Sequence, residues 1–265
     1  MNIRWIVGLG LILGTLLTMS VNAEETGDLA AAAQNPIADL ISLPFQNNMN
    51  FDYGPDGDVQ NVLNVQPVWP FDLGDNWNLI TRTILPVVSQ PHLDESGSTF
   101  GLGDTTMTAW LSPADGGRFV WGVGPVLLIP TATDDRLGAD QWGGGASIVA
   151  LVMSGPWVAG GLANNIWGEG GSDGEPVVNQ FLLQPFVNYN LKDGWYIVSG
   201  PVITANWEAE SADRWTVPVG GGVGKVFRIG KQPVNLNTQV FYNLEKPEWV
   251  GDWTWRLQFQ LLFPK

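Results

Sequence analysis

Few residues of this sequence have the chemistry of a catalytic centre. Enzymes that hydrolyse or acylate lipids commonly need a serine or aspartate nucleophile with a histidine base within reach. The chain has a single histidine, His92, in a polar, turn-rich segment that also holds Ser89, Ser96 and Ser98. A solvated loop histidine explains this pattern better than a catalytic one. We therefore expect no enzyme, and keep a lipid-modifying activity as an alternative.

Asp134, Asp135 and Asp140 form a second candidate cluster, with the hydroxyls of Thr131 and Thr133 nearby. Hard oxygen ligands at short spacing suit Ca²⁺. The spacing is not that of an EF-hand loop, and acidic loop residues are usually solvated. We expect no metal, and these three aspartates stay a weak candidate site.

The run Gly220–Lys225, GGGVGK, has the composition of a phosphate-binding loop. That motif continues with a serine or threonine that binds Mg²⁺, and it opens a helix. Here Val226 follows the lysine. We predict a glycine-rich strand at this point, and no cofactor.

A larger set of polar residues recurs at every second position of extended stretches. In Trp253–Phe263 the odd-numbered residues are all apolar, whereas the even-numbered ones include Arg256, Gln258 and Gln260. Side chains alternate faces along a strand, so one face is apolar and the other polar. The segment has the length of a membrane-crossing strand, about 9–11 residues, and carries aromatic residues at both ends as barrel girdles do.

The same two-residue period begins at Ser42 and predicts twelve strands. Their approximate bounds are 42–53, 59–69, 76–87, 101–111, 118–130, 142–153, 156–167, 177–191, 195–208, 215–229, 234–245 and 252–263. The glycines at 143–145 and 220–222 blur the alternation and are typical of bulges or bends. The predicted fold is all-β: a transmembrane, antiparallel, up-and-down barrel of about 12 strands, with 10 or 14 as alternatives.

Parity along these strands places a polar set inside the barrel. Its members are Asn48, Asn50, Asn64, Gln66, Arg82, Asp104, Trp110, Gln184, Asn237, Gln239, Arg256 and Gln258. We expect Arg82 and Arg256 to pair with Asp104, Glu208 or another carboxylate, because an unpaired buried cation is costly. The amides then either fill the barrel or line a narrow conduit for an uncharged polar or aromatic solute. Trp110 is a candidate stacking platform.

The connections separate by length and charge. If the N-terminus is periplasmic, the odd-numbered connections are extracellular, and these are the longer ones that hold most of the acids. Short turns join the strands at the other end, as in bacterial outer-membrane barrels.

The first 41 residues lack the period of two. Residues 1–23 combine Arg4, an uncharged run and Val21-Asn22-Ala23, which is the pattern of a secretory signal peptide. Residues 24–41 predict a short helix that ends at Pro36. We expect a periplasmic tail lying against the barrel mouth, with a plug inside the lumen as the alternative. Residues 42–265 form the barrel.

Composition agrees with a lipid-facing surface. Only 14% of the residues are charged, against roughly 25% in soluble domains, and the chain has 14 tryptophans. A formal net charge of −14 makes nucleic acid a poor partner. The absence of cysteine excludes a disulfide framework and a lipid-attachment cysteine. The expected partners are outer-membrane lipids, lipopolysaccharide, the barrel-insertion machinery and a small solute.

The sequence also resembles a known family. The motifs that carry the resemblance include QNPIADLISLPFQNNMNFDYGP, LNVQPVWPF, NWNLITRTILPV, WGVGPVLLIPTATDDRLG, VNQFLLQPF, IGKQPV and the closing LLFPK. Together they are similar to outer-membrane transporters grouped with the MetA-pathway-of-phenol-degradation family, some of which carry a misleading neuromedin-like label. The resemblance implies a bacterial outer-membrane β-barrel that passes small, often aromatic or hydrophobic, molecules. It implies no catalytic residues.

Overall fold

The computed structural model describes residues 27–94, 96–168 and 177–264. Within these residues, twelve strands form the barrel wall. Three of these strands are interrupted. The strands are β1 (Ile41–Tyr53), β2 (Asp58–Val65 and Val68–Leu73), β3 (Trp77–Pro91), β4 (Ser98–Leu102 and Thr105–Pro113), β5 (Phe119–Ile129), β6 (Gly143–Ser154), β7 (Trp157–Gly168), β8 (Asn179–Asn190), β9 (Trp195–Ser199 and Ile203–Asn206), β10 (Trp215–Ile229), β11 (Gln232–Glu245) and β12 (Trp253–Phe263).

Each strand pairs antiparallel with its neighbours in the sequence. The last strand pairs with the first, with Phe263 opposite Ile41 and Trp253 opposite Phe51. The sheet therefore closes on itself and leaves no unpaired edge, which is what a sheet in hydrocarbon requires. The predicted all-β, twelve-stranded antiparallel barrel is confirmed.

Strand β12 shows how the sequence sets the two faces of the wall. Trp253 is 46% exposed and Leu257 41%, whereas Arg256 and Gln260 on the alternate face are each 6% exposed. Large apolar side chains on the other strands point outward in the same way, among them Trp69, Phe100 and Ile148. The outer surface is thus apolar and the interior is polar, as in a barrel that spans a membrane.

Strand β9 departs from the continuous strand that the sequence predicts over 195–208. It breaks after Ser199, where Gly200 precedes Pro201, a residue without a backbone N–H. The Gly200 N–H donates to Gln239 Oε1 at 3.1 Å, and its carbonyl accepts from Arg256 Nη1 at 2.8 Å. Side chains in the lumen therefore replace the missing wall hydrogen bonds at this break.

The glycine-rich stretches are regular strand. The register runs without a shift through Gly143–Gly145 and through Gly220–Gly222, and the irregularity of β10 lies at Val217 and Pro218. Gly224 faces Tyr196 across the β9–β10 pair, and a Cβ there would lie 2.2 Å from the tyrosine ring. The glycine therefore makes room for the buried tyrosine.

A short helix, residues 27–34, precedes the barrel strands. Ala30 (1% exposed) and Leu40 pack against the inward-facing Tyr196, Val226 and Leu262. The described part of this segment therefore packs against side chains that face the barrel interior.

The rest of the segment makes contacts of the same kind. Ile37 packs against Ile80 and Trp110. The Gln34 side-chain amide donates to Asn190 Oδ1 at 2.8 Å. Among the described residues no helix is long and apolar enough to cross a membrane. The predicted signal peptide lies outside the described residues, as does most of the connection 169–178.

Candidate functional site: the barrel lumen

Two cavities occupy the lumen. The helix-side cavity, about 160 Å³, lies beside residues 32–36 and is lined by strand amides such as Asn235 and Gln258. The loop-side cavity, about 530 Å³, reaches towards the connections 207–214 and 246–252. Both are lined by the same five residues, which we call the neck: Gln46, Gln66, Arg82, Leu162 and Gln184. The neck residues therefore lie between the two cavities.

Arg82 of β3 supplies the charge of the neck. Its Nη2 donates to the side-chain oxygen of Gln66, which sits at the interruption of β2. A guanidinium has five N–H donors, and the hydrogen bond to Gln66 uses one of them. Within the described part of the chain, no carboxylate lies within 4.0 Å of the Arg82 guanidinium.

Arg256 of β12 is held differently. Its Nε donates to Asn48 Oδ1 and its Nη1 to the Gly200 carbonyl, both at 2.8 Å. Its guanidinium carbon lies 4.8 Å from the centre of the Phe241 ring. These contacts tie β12 to β1, β9 and β11, so Arg256 is fixed by the barrel wall. Arg82 and Arg256 both line the helix-side cavity.

The carboxylates expected to pair with these arginines are engaged elsewhere. Asp104 lies at the interruption of β4, where its Oδ1 accepts from the N–H groups of Thr131 (3.2 Å) and Ala132 (3.1 Å) and its Oδ2 from Ala139 (2.6 Å). Glu208 accepts from the Asn179 amide at 3.1 Å. The expected ion pairs are therefore not formed, because Asp104 anchors the connection 130–142 and lines neither cavity.

Replacing Asp104 with asparagine should loosen this connection. Asparagine keeps one acceptor oxygen but loses the charge that strengthens three N–H contacts, each worth about 1.5–3 kcal/mol when charged. Trypsin should then cut faster after the exposed Arg136, as followed by gel and mass spectrometry. Asp134→Asn is the matched control, since the Asp134 carboxylate accepts only from the nearby Arg136 N–H among the contacts recorded. Equal cleavage rates in both variants would contradict the anchoring role.

Most of the other predicted lumen residues meet at the two cavities. Gln66, Arg82, Gln184, Asn237, Gln239, Arg256 and Gln258 line the helix-side cavity, and Asn64, Gln66, Arg82, Trp110 and Gln184 the loop-side cavity. Asn48 accepts from Arg256. Asn50 belongs to a chain of amide contacts with Gln60 and Gln90 across three strands.

Trp110 is part of the core beneath the loop-side cavity. It is 1% exposed, and its indole N–H donates to Ser147 Oγ at 3.0 Å. Its ring packs with Ile37, Ile80 and Val149. Because these neighbours cover the indole ring, little of its face is accessible for a ligand to stack on.

Three further features of the site were not singled out from the sequence. Gln46 has the same inward parity as its neighbours on β1 and could have been found by it. The Tyr196 hydroxyl donates to Asn235 Oδ1 at 2.6 Å, and the pattern of β9 does not distinguish this buried tyrosine from a lipid-facing one. The break at Gly200 could have been predicted, because the Gly200-Pro201 pair is a sequence pattern that interrupts strands.

Among the described residues that line the cavities, the charged side chains are predominantly cationic. They are Arg82, Arg256 and Arg214, with Asp213 as the acid. The lining therefore carries a net positive charge inside a chain whose formal net charge is −14. Positive charge in a cavity lining attracts anions and repels cations.

The other candidate clusters gain no support. His92 Nε2 lies 3.0 Å from Thr99 Oγ1, in the loop region between β3 and β4. The described residues contain no group of three or more His, Cys, Asp or Glu side chains that could hold a metal ion, so Asp134, Asp135 and Asp140 are not brought together.

No protein-family model matches the sequence, and no curated protein matches it. The fold does match solved structures. An outer-membrane channel from Pseudomonas putida F1 superposes with a TM-score of 0.65 at 19% identity, over 84% of this chain and 94% of the channel. The protein has the fold of a bacterial outer-membrane β-barrel.

Weaker likenesses extend to barrels with other roles. The calcium-bound outer-membrane phospholipase dimer of Salmonella typhi gives a TM-score of 0.48 at 14% identity, over 89% of this chain and 96% of that one. A FadL homologue from Pseudomonas aeruginosa gives 0.41 at 11%, over 88% and 91%. At these scores the strand paths differ too much for their sites to be compared with this lumen.

Proposed function

We propose that this protein lets a small solute cross the outer membrane passively through the barrel lumen. The observation that carries the proposal is the neck, whose five residues line both a cavity at the loop end of the barrel and a cavity beside the N-terminal helix. A cavity of about 530 Å³ has the size of a small-molecule site, roughly 300–1,000 Å³. Residues that merely fill a barrel would leave no such space.

The passage is selective because it is narrow. Twelve strands lie between small barrels whose interior is filled and porins of about 16–18 strands with a wide aqueous channel. Here the neck consists of three glutamines, an arginine and Leu162, and residues 32–36 border the helix-side cavity. The N-terminal segment thus acts as a plug that restricts passage. The family resemblance and the fold of the Pseudomonas putida channel support the same class of function, with small, often aromatic or hydrophobic, solutes.

Solute entry into proteoliposomes tests this proposal. The refolded full chain should admit small neutral solutes, such as glycerol, and exclude disaccharides. Leu162→Trp, which enlarges a side chain in the neck, should slow entry. Leu257→Trp is the matched control, because Leu257 faces outward and is 41% exposed.

Two outcomes would contradict the proposal. If neither the full chain nor the chain without its N-terminal segment admits more solute than empty liposomes do, the protein is a structural barrel with a filled lumen. Turnover of phospholipid or lipopolysaccharide that disappears in His92→Ala would indicate a lipid-modifying enzyme.

Insertion by the barrel-assembly machinery and contact with lipopolysaccharide belong to the same proposal. A closed barrel with an apolar outer face needs catalysed insertion to reach the outer membrane in a cell, and the outer leaflet there is lipopolysaccharide. Depleting the machinery should leave the chain in the periplasm, detectable by cell fractionation.

A further inference from the structure

The neck contains a cation whose partner is neutral. Arg82 has one recorded hydrogen bond, to the side-chain oxygen of Gln66, and no carboxylate of the described residues within 4.0 Å. Taking a guanidinium out of water without a counter-charge is costly, and in membrane-spanning structures such cations pair or mark the pathway of a ligand. The neck therefore lacks the negative charge that its own side chains would be expected to supply.

Two amides beside this cation are also available. Gln46 and Gln184 line the neck, and no side-chain hydrogen bond to either is recorded among the described residues. An amide N–H₂ donates two hydrogen bonds, and a guanidinium can donate to both oxygens of a carboxylate at once. Arg82, Gln46 and Gln184 together have the donors that a carboxylate needs.

The loop-side cavity supplies the other half of a ligand site. Its lining includes the apolar side chains of Ile84, Leu128, Ile166 and Leu182. An inorganic anion gains nothing from such a surface, whereas an organic acid buries its hydrocarbon part there. We propose that the neck binds the carboxylate of a small monocarboxylic acid, whose aromatic or branched apolar body lies in the loop-side cavity. This inference rests on the proposed function and names the solute class of that path.

Arg82 and Arg256 have different roles in this site. The Arg256 guanidinium is committed to Asn48, the Gly200 carbonyl and the Phe241 ring, so it positions the wall and adds positive charge. Arg82 contacts the ligand. The uncharged solute expected from the sequence is replaced by an anion, because the carboxylates that would have neutralised the arginines bind a surface connection and Asn179.

The test compares benzoate with benzamide, which has the same ring but no charge. Binding to the refolded full chain in detergent is measured by isothermal titration calorimetry, with inorganic phosphate as a third probe. Benzoate should bind at least about tenfold tighter than benzamide, since a hydrogen bond to a charged group contributes about 1.5–3 kcal/mol and 1.4 kcal/mol is tenfold.

Gln66→Glu is the decisive variant. It places a permanent carboxylate beside Arg82 with almost no change of shape, and the preference for benzoate should fall by about tenfold or more. Gln90→Glu is the matched control, because Gln90 carries the same inward side chain on β3 but lines neither cavity. If Gln66→Glu fails to fold, Arg82→Gln replaces it, with the same loss expected.

The results of this experiment distinguish a failure of the organic-acid site from a failure of passive passage. Three results would overturn the organic-acid site. Benzoate and benzamide could bind equally, Gln66→Glu could keep the preference for benzoate, or phosphate could bind as tightly as benzoate. Solute entry into proteoliposomes could still succeed in those cases, and passive passage would stand. Tight benzoate binding without entry of any solute would instead support the site and reject passage.

Discussion

Removing residues 24–38 should raise the single-channel conductance of the refolded protein severalfold. The helix of residues 27–34 and the residues after it occupy the helix-side end of the lumen, where Ala30 and Ile37 are almost completely buried among barrel side chains. The shortened chain also lacks the predicted signal peptide, residues 1–23, and therefore begins at Asp39, so the pairing of Ile41 with Phe263 is kept. Conductance depends on the open cross-section of the path, and this deletion enlarges it.

Planar-bilayer recording of the full and shortened chains measures the effect. A point variant gives an independent check: Ile37→Asp places a charge in an apolar contact and should dislodge the segment, which again raises conductance. Asp28→Asn is its control, since Asp28 is exposed. Unchanged conductance in the deletion and in Ile37→Asp would mean that strand side chains, and not the N-terminal segment, restrict the lumen.

Trp110→Ala should destabilise the barrel by about 3–5 kcal/mol, the usual cost of truncating a buried tryptophan. The indole is 1% exposed and packs where β4, the N-terminal segment and β6 meet, and its N–H is bonded to Ser147. Truncation leaves a large cavity and removes one of the two hydrogen bonds of the Ser147 hydroxyl, which keeps its bond to the Ala163 carbonyl. Urea unfolding of the protein in lipid vesicles, followed by tryptophan fluorescence, measures the change in the free energy of unfolding.

Trp110→Phe is the control for packing, and it should cost only about 1–2 kcal/mol, because most of the ring volume is kept and one hydrogen bond is lost. A different pattern would contradict a core role. If Trp110→Ala leaves unfolding unchanged but weakens benzoate and benzamide binding alike, Trp110 is the stacking platform considered from the sequence.

The barrel could be predicted because its signal is local. Side chains alternate faces strictly along a strand, so the apolar odd positions of Trp253–Phe263 define the outer face without reference to any other strand. The chain closure, which pairs this strand with Ile41–Tyr53, follows from an even strand number. The interrupted strands β4 and β9 were predicted as continuous. Parity does not show that Asp104 accepts hydrogen bonds from the connection 130–142, or that the Gly200 backbone bonds to side chains in the lumen.

The partners inside the barrel could not be predicted, because parity gives the face of a residue but not its depth. Arg82 and Asp104 share the inward parity, yet Asp104 lies beneath a connection and Arg82 in the neck. The position of residues 27–40 depends on how much space the strand side chains leave, which is a property of the whole barrel. No local pattern distinguishes a tail from a plug.

The central claim is that the lumen is a conducting path with a net positive lining, and the reversal potential tests it most directly. Currents through the refolded full chain are recorded in a planar bilayer under a tenfold KCl gradient. Arg82, Arg256 and Arg214 outnumber Asp213 along the path, so we predict small steps with a reversal potential that shows preference for chloride. A preference for potassium, or no current from either the full chain or the chain lacking residues 24–38, would contradict the account.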